Sequence, residues 1–166
     1  MGKIRLGLAP TRRSIFSAPD AVKYANLTRK RLKQLDVEFV DIEDFNGEGL
    51  LYNDTDREKV AQKFKREKID GLFLPHCNFG TEYIAARLSK ELNVPVLLWG
   101  PRDERPDTQG IRLRDSQCGL FATGKVPVSY THLDGRLMGI LNGGADTHTI
   151  GMLMMGNRQE VNLNEG

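Results

Sequence analysis

Short apolar runs alternate with longer amphipathic stretches through the first hundred residues. The apolar runs are Ile4-Arg5-Leu6-Gly7-Leu8-Ala9, Val37-Glu38-Phe39-Val40-Asp41-Ile42, Asp70-Gly71-Leu72-Phe73-Leu74 and Pro95-Val96-Leu97-Leu98-Trp99. Each is short, rich in aliphatic or aromatic residues and closed by a polar or proline-containing turn, which predicts a strand. Between them the apolar positions recur at helical spacing. Ala21, Tyr24, Ala25, Leu27, Leu32 and Leu35 predict a first helix, which Ser17 can cap with Pro19 and Asp20 in its first turn. Val60, Ala61 and Phe64 mark the inner face of a second helix, capped by Asp54 or Thr55. Tyr83, Ile84, Ala86, Leu88 and Leu92 mark a third, which opens near Gly80 and ends at Asn93. Asp115 can cap a fourth helix from Ser116 onward.

Strands joined by helices of about a dozen residues imply parallel pairing and right-handed crossovers. Strands this apolar fit burial on both faces. The expected fold is α/β: a three-layer Rossmann/flavodoxin-like parallel sheet with helices on both faces and an irregular C-terminal tail. The composition shifts sharply near residue 125. Of 46 charged residues only 6 lie in 126–166, which hold 4 of the 5 methionines. Residues 1–125 are therefore read as one α/β domain and 126–166 as a tail. The tail is a disordered extension, a poorly packed continuation, or sequence that is not native. Val128-Ser129-Tyr130-Thr131-His132-Leu133 is also the translation of a common sequencing-library transposon end.

A formal charge of +2 gives no case for a nucleic-acid surface. The basic group Arg29, Lys30, Arg31 and Lys33 lies on the first helix, and a solvated helix face is expected of it. Two distant cysteines, Cys77 and Cys118, do not suggest a secreted disulfide framework. No apolar run approaches the ~20 residues of a membrane span, and the amino terminus shows no apolar leader. A cytoplasmic location without membrane or nucleic-acid partners is the expectation.

Candidate chemistry gathers where the strands end, which is where ligands sit in open α/β sheets. Thr11, Arg12 and Arg13 follow the first strand, and an arginine offers five fixed donors to anionic or polyhydroxyl ligands. His76, Asn78 and Phe79 follow the third strand. Trp99 and Arg102 follow the fourth, ahead of a loop with eight charged residues between 100 and 115. Within that loop, internal pairing among Arg102, Asp103, Glu104, Arg112, Arg114 and Asp115 is expected ahead of a subunit contact. Neighbouring His76 and Cys77 are poorly spaced for a metal, and a nucleophilic couple would need a third, orienting group brought close in space. Neither a GxGxxG nor a GxxxxGK[ST] phosphate loop is present.

Several words taken together resemble the L-fucose isomerase and L-arabinose isomerase superfamily, in its fucose-isomerase-like branch. They are Pro10-Thr11-Arg12-Arg13, Glu48-Gly49-Leu50-Leu51-Tyr52, Pro75-His76-Cys77-Asn78-Phe79-Gly80, Leu98-Trp99-Gly100-Pro101-Arg102-Asp103-Glu104 and Leu113-Arg114-Asp115-Ser116-Gln117-Cys118-Gly119. The resemblance covers residues 3–125. It implies a ketol isomerase that interconverts an aldose and a ketose, such as L-fucose/L-fuculose or L-arabinose/L-ribulose. In such enzymes a divalent metal, commonly manganese, polarises the carbonyl while carboxylates move a proton through an enediol. The resemblance places the metal ligands in later domains, so no catalytic residue and no metal ligand is carried onto this chain. It also implies a homo-oligomer in which this lobe packs against a neighbouring subunit and lends side chains to its sugar site. Thr11, Arg12 and Arg13 are the residues so mapped, with His76, Asn78, Phe79, Trp99 and Arg102 placed by rim position. The competing expectation is a stand-alone sugar-binding α/β module.

Overall fold

The computed structural model describes residues 4–35, 37–129 and 137–140. Nine elements follow one another: β1 (Arg5–Leu8), α1 (Ala18–Gln34), β2 (Glu38–Asp41), α2 (Asp54–Glu67), β3 (Gly71–Pro75), α3 (Glu82–Leu92), β4 (Val96–Trp99), α4 (Ser116–Ser129) and β5 (Leu137–Ile140). All strand pairs are parallel, in the order β2-β1-β3-β4-β5. This is the flavodoxin order, and its switch point lies between β1 and β3. Residues 126–129 continue α4 and 137–140 form the last strand, so regular structure crosses the expected boundary at 125; the remainder of 126–166 lies outside the described residues. Among the described residues no helix is long and apolar enough to cross a membrane.

The alternation of side chains along each strand divides the core in two. Leu72, Leu74, Val96 and Leu98 face α2, α3 and α4, where Val60, Ala61, Phe64, Ile84, Ala85, Leu88 and Leu120 meet them. Leu8, Phe73 and Leu97 point the other way and pack with Leu32 of α1. Two helical stripes are narrower than the periodicity suggests. Leu27 and Tyr83 are about half exposed, because α1 and α3 each rest on one sheet face and no second layer covers them among the described residues.

The caps show what local sequence can and cannot specify. Ser17 caps α1 as expected, its hydroxyl accepting from the Asp20 N–H. On α2 the cap is Asn53, one residue ahead of the expected pair, accepting from the Asp56 N–H at 2.8 Å. Asn93 closes α3 in the left-handed conformation. At α4 the expectation of Asp115 is corrected. Asp103 reaches across the preceding loop and takes the Ser116 and Gln117 N–H groups at 2.8 and 3.0 Å. A carboxylate there satisfies orphan amides and suits the helix dipole.

Arg29 is corrected as well. It is buried, not solvated. Its Nε and Nη2 donate to Asp41 at 2.8 and 3.1 Å, its Nη2 donates to the Gly49 carbonyl, and its Nη1 donates to Asn26. The pair fastens α1 to the carboxyl end of β2 and to the loop that follows it.

Candidate functional site

Pairing continues past the strand ends and draws three loops into one rim. Thr11 bridges to Leu51 on one side and to His76 on the other. Its N–H donates to the Pro75 carbonyl at 2.7 Å, and its carbonyl accepts from the Cys77 N–H at 2.9 Å. The β1 exit is thereby held between the loops after β2 and β3, as the strand order requires.

The eight candidate residues divide by exposure. Thr11, His76 and Asn78 are fully buried, with their polar atoms engaged inside the chain. The Thr11 hydroxyl donates to Pro75. Asn78 Oδ1 accepts from the Arg13 and Phe79 N–H groups at 2.8 and 2.7 Å, and its Nδ2 donates to the Arg13 and Ser17 carbonyls. Its carbonyl takes the Asp115 N–H at 2.6 Å. Asn78 thus ties the β1, β3 and β4 loops together, and no side-chain donor remains for a ligand. Trp99 is half-buried and packs its ring 6.1 Å from that of Phe73, on the α1 side of the sheet. The structure turns these four toward the fold's interior because the loops fold back over the strand ends.

His76 is neutral. A carbonyl only accepts, so Nδ1–H donates to Leu74 at 3.0 Å and Nε2 accepts from the Thr123 hydroxyl at 2.7 Å. Burial pushes the imidazolium down to about 4, against weaker opposing effects of the Leu74 carbonyl and Glu82. The unfolded chain, with an ordinary histidine near 6.5, holds that proton more tightly. The contribution is therefore complete above pH 6.5 and is lost as the pH falls toward 4, a total of roughly 3 kcal/mol. Urea unfolding at pH 7.5 and 4.5 should show most of that loss, and His76→Gln should remove it. An equal difference in both proteins would mean that other groups titrate. The neighbouring Cys77 thiol is pushed up to about 12 by burial, so it supplies no thiolate nucleophile.

The accessible part of the rim is cationic and aromatic. Arg12 lies flat over Tyr52, its guanidinium carbon 3.8 Å from the ring centre. Its Nε donates to Glu48 at 2.7 Å. Arg13 lies over Phe79 at 4.5 Å and pairs with Glu82, while Phe79 stacks on Phe16 at 5.3 Å. Arg102 is exposed, with no carboxylate partner among the described residues.

Arg114 fixes the remaining loop, a role that its place in the sequence does not mark. Its side chain is wholly buried and stacks on Tyr24 at 3.5 Å. Nε donates to the Cys77 carbonyl, Nη1 to Glu104, and Nη2 to the Pro101 carbonyl, Asp103 and Ser116. The expected internal pairing of this loop therefore holds for Arg114, Asp103 and Glu104. Glu48, Tyr52 and Glu82 are the other site residues that position alone did not single out. Their signal was available: the flavodoxin order puts the loops after β2 and β3 beside the β1 exit.

The divalent metal implied by the resemblance finds no fitting donor set here. Among the described residues no three of His, Cys, Asp and Glu come together to hold an ion. The buried pair His76 and Cys77 are bonded to carbonyls and a hydroxyl. No step is derived through a metal on this chain.

A parallel sheet in flavodoxin order, with arginines laid on aromatic rings at its carboxyl edge, defines an α/β lobe of the doubly wound class that turns a polar rim outward. The chain belongs to the fucose/sulfoquinovose isomerase N-terminal domain family, whose model matches residues 7–131. The match takes in every loop of the rim. No curated protein and no solved structure matches the chain.

Proposed function

We propose that this chain is the sugar-facing amino-terminal lobe of an aldose–ketose isomerase and acts beside domains that carry a divalent metal, manganese being the expected ion. Its sugars are of the L-fucose/L-fuculose or L-arabinose/L-ribulose kind. The observation that carries the reading is the pair Arg12 and Arg13. Each is immobilised by a ring on one side and a carboxylate at its edge, at the strand-end edge where open α/β sheets bind ligands. Holding donors in place before binding lowers the ordering cost of engaging a hydroxyl-rich ligand. The chain's part in the reaction is to orient the sugar and to cover it from water, while proton transfer at the carbonyl carbon and its neighbour belongs elsewhere.

A neighbouring subunit fits the same edge. Ile15, Ile111 and Leu113 are 79%, 51% and 55% exposed. The Ser17 N–H donates to the Leu113 carbonyl at 3.1 Å, so the two loops that bear these side chains are joined. Apolar groups clustered beside a polar site suit coverage by a second subunit.

Titration of the full chain with L-fucose, followed by amide NMR, should move signals at residues 11–13 and 79–82, and Arg12→Ala should abolish the shifts. The same chain with manganese should form no ketose. Ketose formation by the chain alone, or shifts confined to the amino edge of the sheet, would overturn the reading.

A further inference from the structure

The two rim arginines are not bare cations. Arg12 meets Glu48 through two edges, Nε to Oε2 at 2.7 Å and Nη2 to Oε1 at 3.4 Å, and its side chain is only 11% exposed. Arg13 is matched through one contact, its Nη2 donating to Glu82 in the first turn of α3. Each guanidinium leaves its carboxylate and its ring only by giving up both contacts. The local charge at each pair is therefore close to zero.

That arrangement discriminates by charge. A sugar hydroxyl both donates and accepts, so it can take an N–H of the arginine and give its own hydrogen to a remaining lone pair of the glutamate. A sulfonate or phosphate only accepts. Placed against the same pair, it meets the carboxylate as a like charge at contact distance. Arg114 follows the same pattern, closed by Asp103 and Glu104. Arg102 is a rim cation without such a partner among the described residues. It is solvent-exposed, so its field is screened, and it follows β4, with β3 standing between it and the β1 exit.

We propose that Glu48 and Glu82 are specificity-determining residues, which hold Arg12 and Arg13 neutralised so that the rim accepts uncharged polyhydroxyl sugars and rejects sulfonated or phosphorylated ones. The proposal rests on the sugar-lobe reading and divides the two kinds of sugar that the family's description joins, one neutral and one sulfonated. The glutamates act through electrostatics on the ligand and also by fixing the arginines.

The test is an NMR titration of the full chain with L-fucose and with sulfoquinovose at matched ionic strength. L-Fucose should bind about tenfold more tightly, the scale of one partly screened like-charge contact. In Glu48→Gln/Glu82→Gln, with shape kept and both charges removed, the order should reverse. Glu43→Gln/Glu58→Gln changes the net charge equally without touching either arginine and should keep the wild-type order. Should the double variant lose amide dispersion, Glu82→Gln alone should narrow the gap. Equal or tighter wild-type binding of sulfoquinovose overturns the proposal and leaves the sugar-lobe reading standing, as does reversal by the control pair. A chain that binds neither sugar overturns both.

Discussion

Arg114→Ala should cost roughly 3–5 kcal/mol, the range found when one partner of a buried charge network is removed. The side chain is fully buried and joins four parts of the rim: the Cys77 carbonyl after β3, the 101–104 segment after β4, Ser116 at the start of α4, and Tyr24 on α1. Truncation leaves the Cys77 and Pro101 carbonyls without their donor and removes the cation beside Asp103 and Glu104. For a domain of this size each kcal/mol lowers the melting temperature by about 2–4 °C, so a fall near 10 °C is expected. Arg114→Lys should recover less than half, because an ammonium cannot make the divergent contacts of a planar fork. Trypsin should cut faster after Arg112, since the loop that bears it is anchored by Arg114 at its base. Urea midpoints for the three proteins, with a loss under about 1 kcal/mol in Arg114→Ala, would show that the loop is held by other means.

How far the sequence discloses this site depends on the range of the interaction involved. The strands and helices are legible because periodicity and caps are local: Ser17 and Asn93 end their helices where expected. The position of Arg12 and Arg13 is legible for the same reason, as they follow an apolar run that stops at Pro10. What those arginines hold is not local. Glu48 and Glu82 lie 36 and 69 residues away and become neighbours only through the order β2-β1-β3. Burial of polar groups is equally non-local. Histidine, asparagine and threonine at strand ends read as ligand-facing until the loops fold back over them and Thr123 of α4 takes up the His76 ring. Arg29 is the same lesson on a helix, since its spacing among lysines signals solvent while Asp41, twelve residues on, draws it inward. Asp103 shows the converse, a helix cap supplied from the far side of a loop that no helix-start motif contains.

Gly119→Ala should be the most damaging single methyl addition on the rim. A Cβ at this position would fall inside the van der Waals envelope of the Phe79 carbonyl, a main-chain group with no rotamer by which to retreat. Phe79 is itself pinned, its N–H held by Asn78 Oδ1 at 2.7 Å and its ring in contact with both Phe16 and Arg13. The strain must therefore pass to α4, which has to lift from the β3–α3 loop. Lifting it uncovers Leu120, now 1% exposed, and draws the Thr123 hydroxyl from His76. Overpacking usually costs about 1–3 kcal/mol, and a backbone clash in a doubly anchored helix belongs at or above the top of that range. Gly110→Ala separates close approach from backbone preference. Gly110 has φ +78° and open space around it, so an alanine there should cost only about 1 kcal/mol of left-handed strain. Gly119→Ala should also weaken the L-fucose shifts at Arg13, because displacing Phe79 removes the ring on which that guanidinium lies, whereas Gly110→Ala should leave them intact. If the two alanine variants lose equal stability, α4 does not press on the Phe79 carbonyl, and the support inferred for the Arg13 half of the rim fails with it.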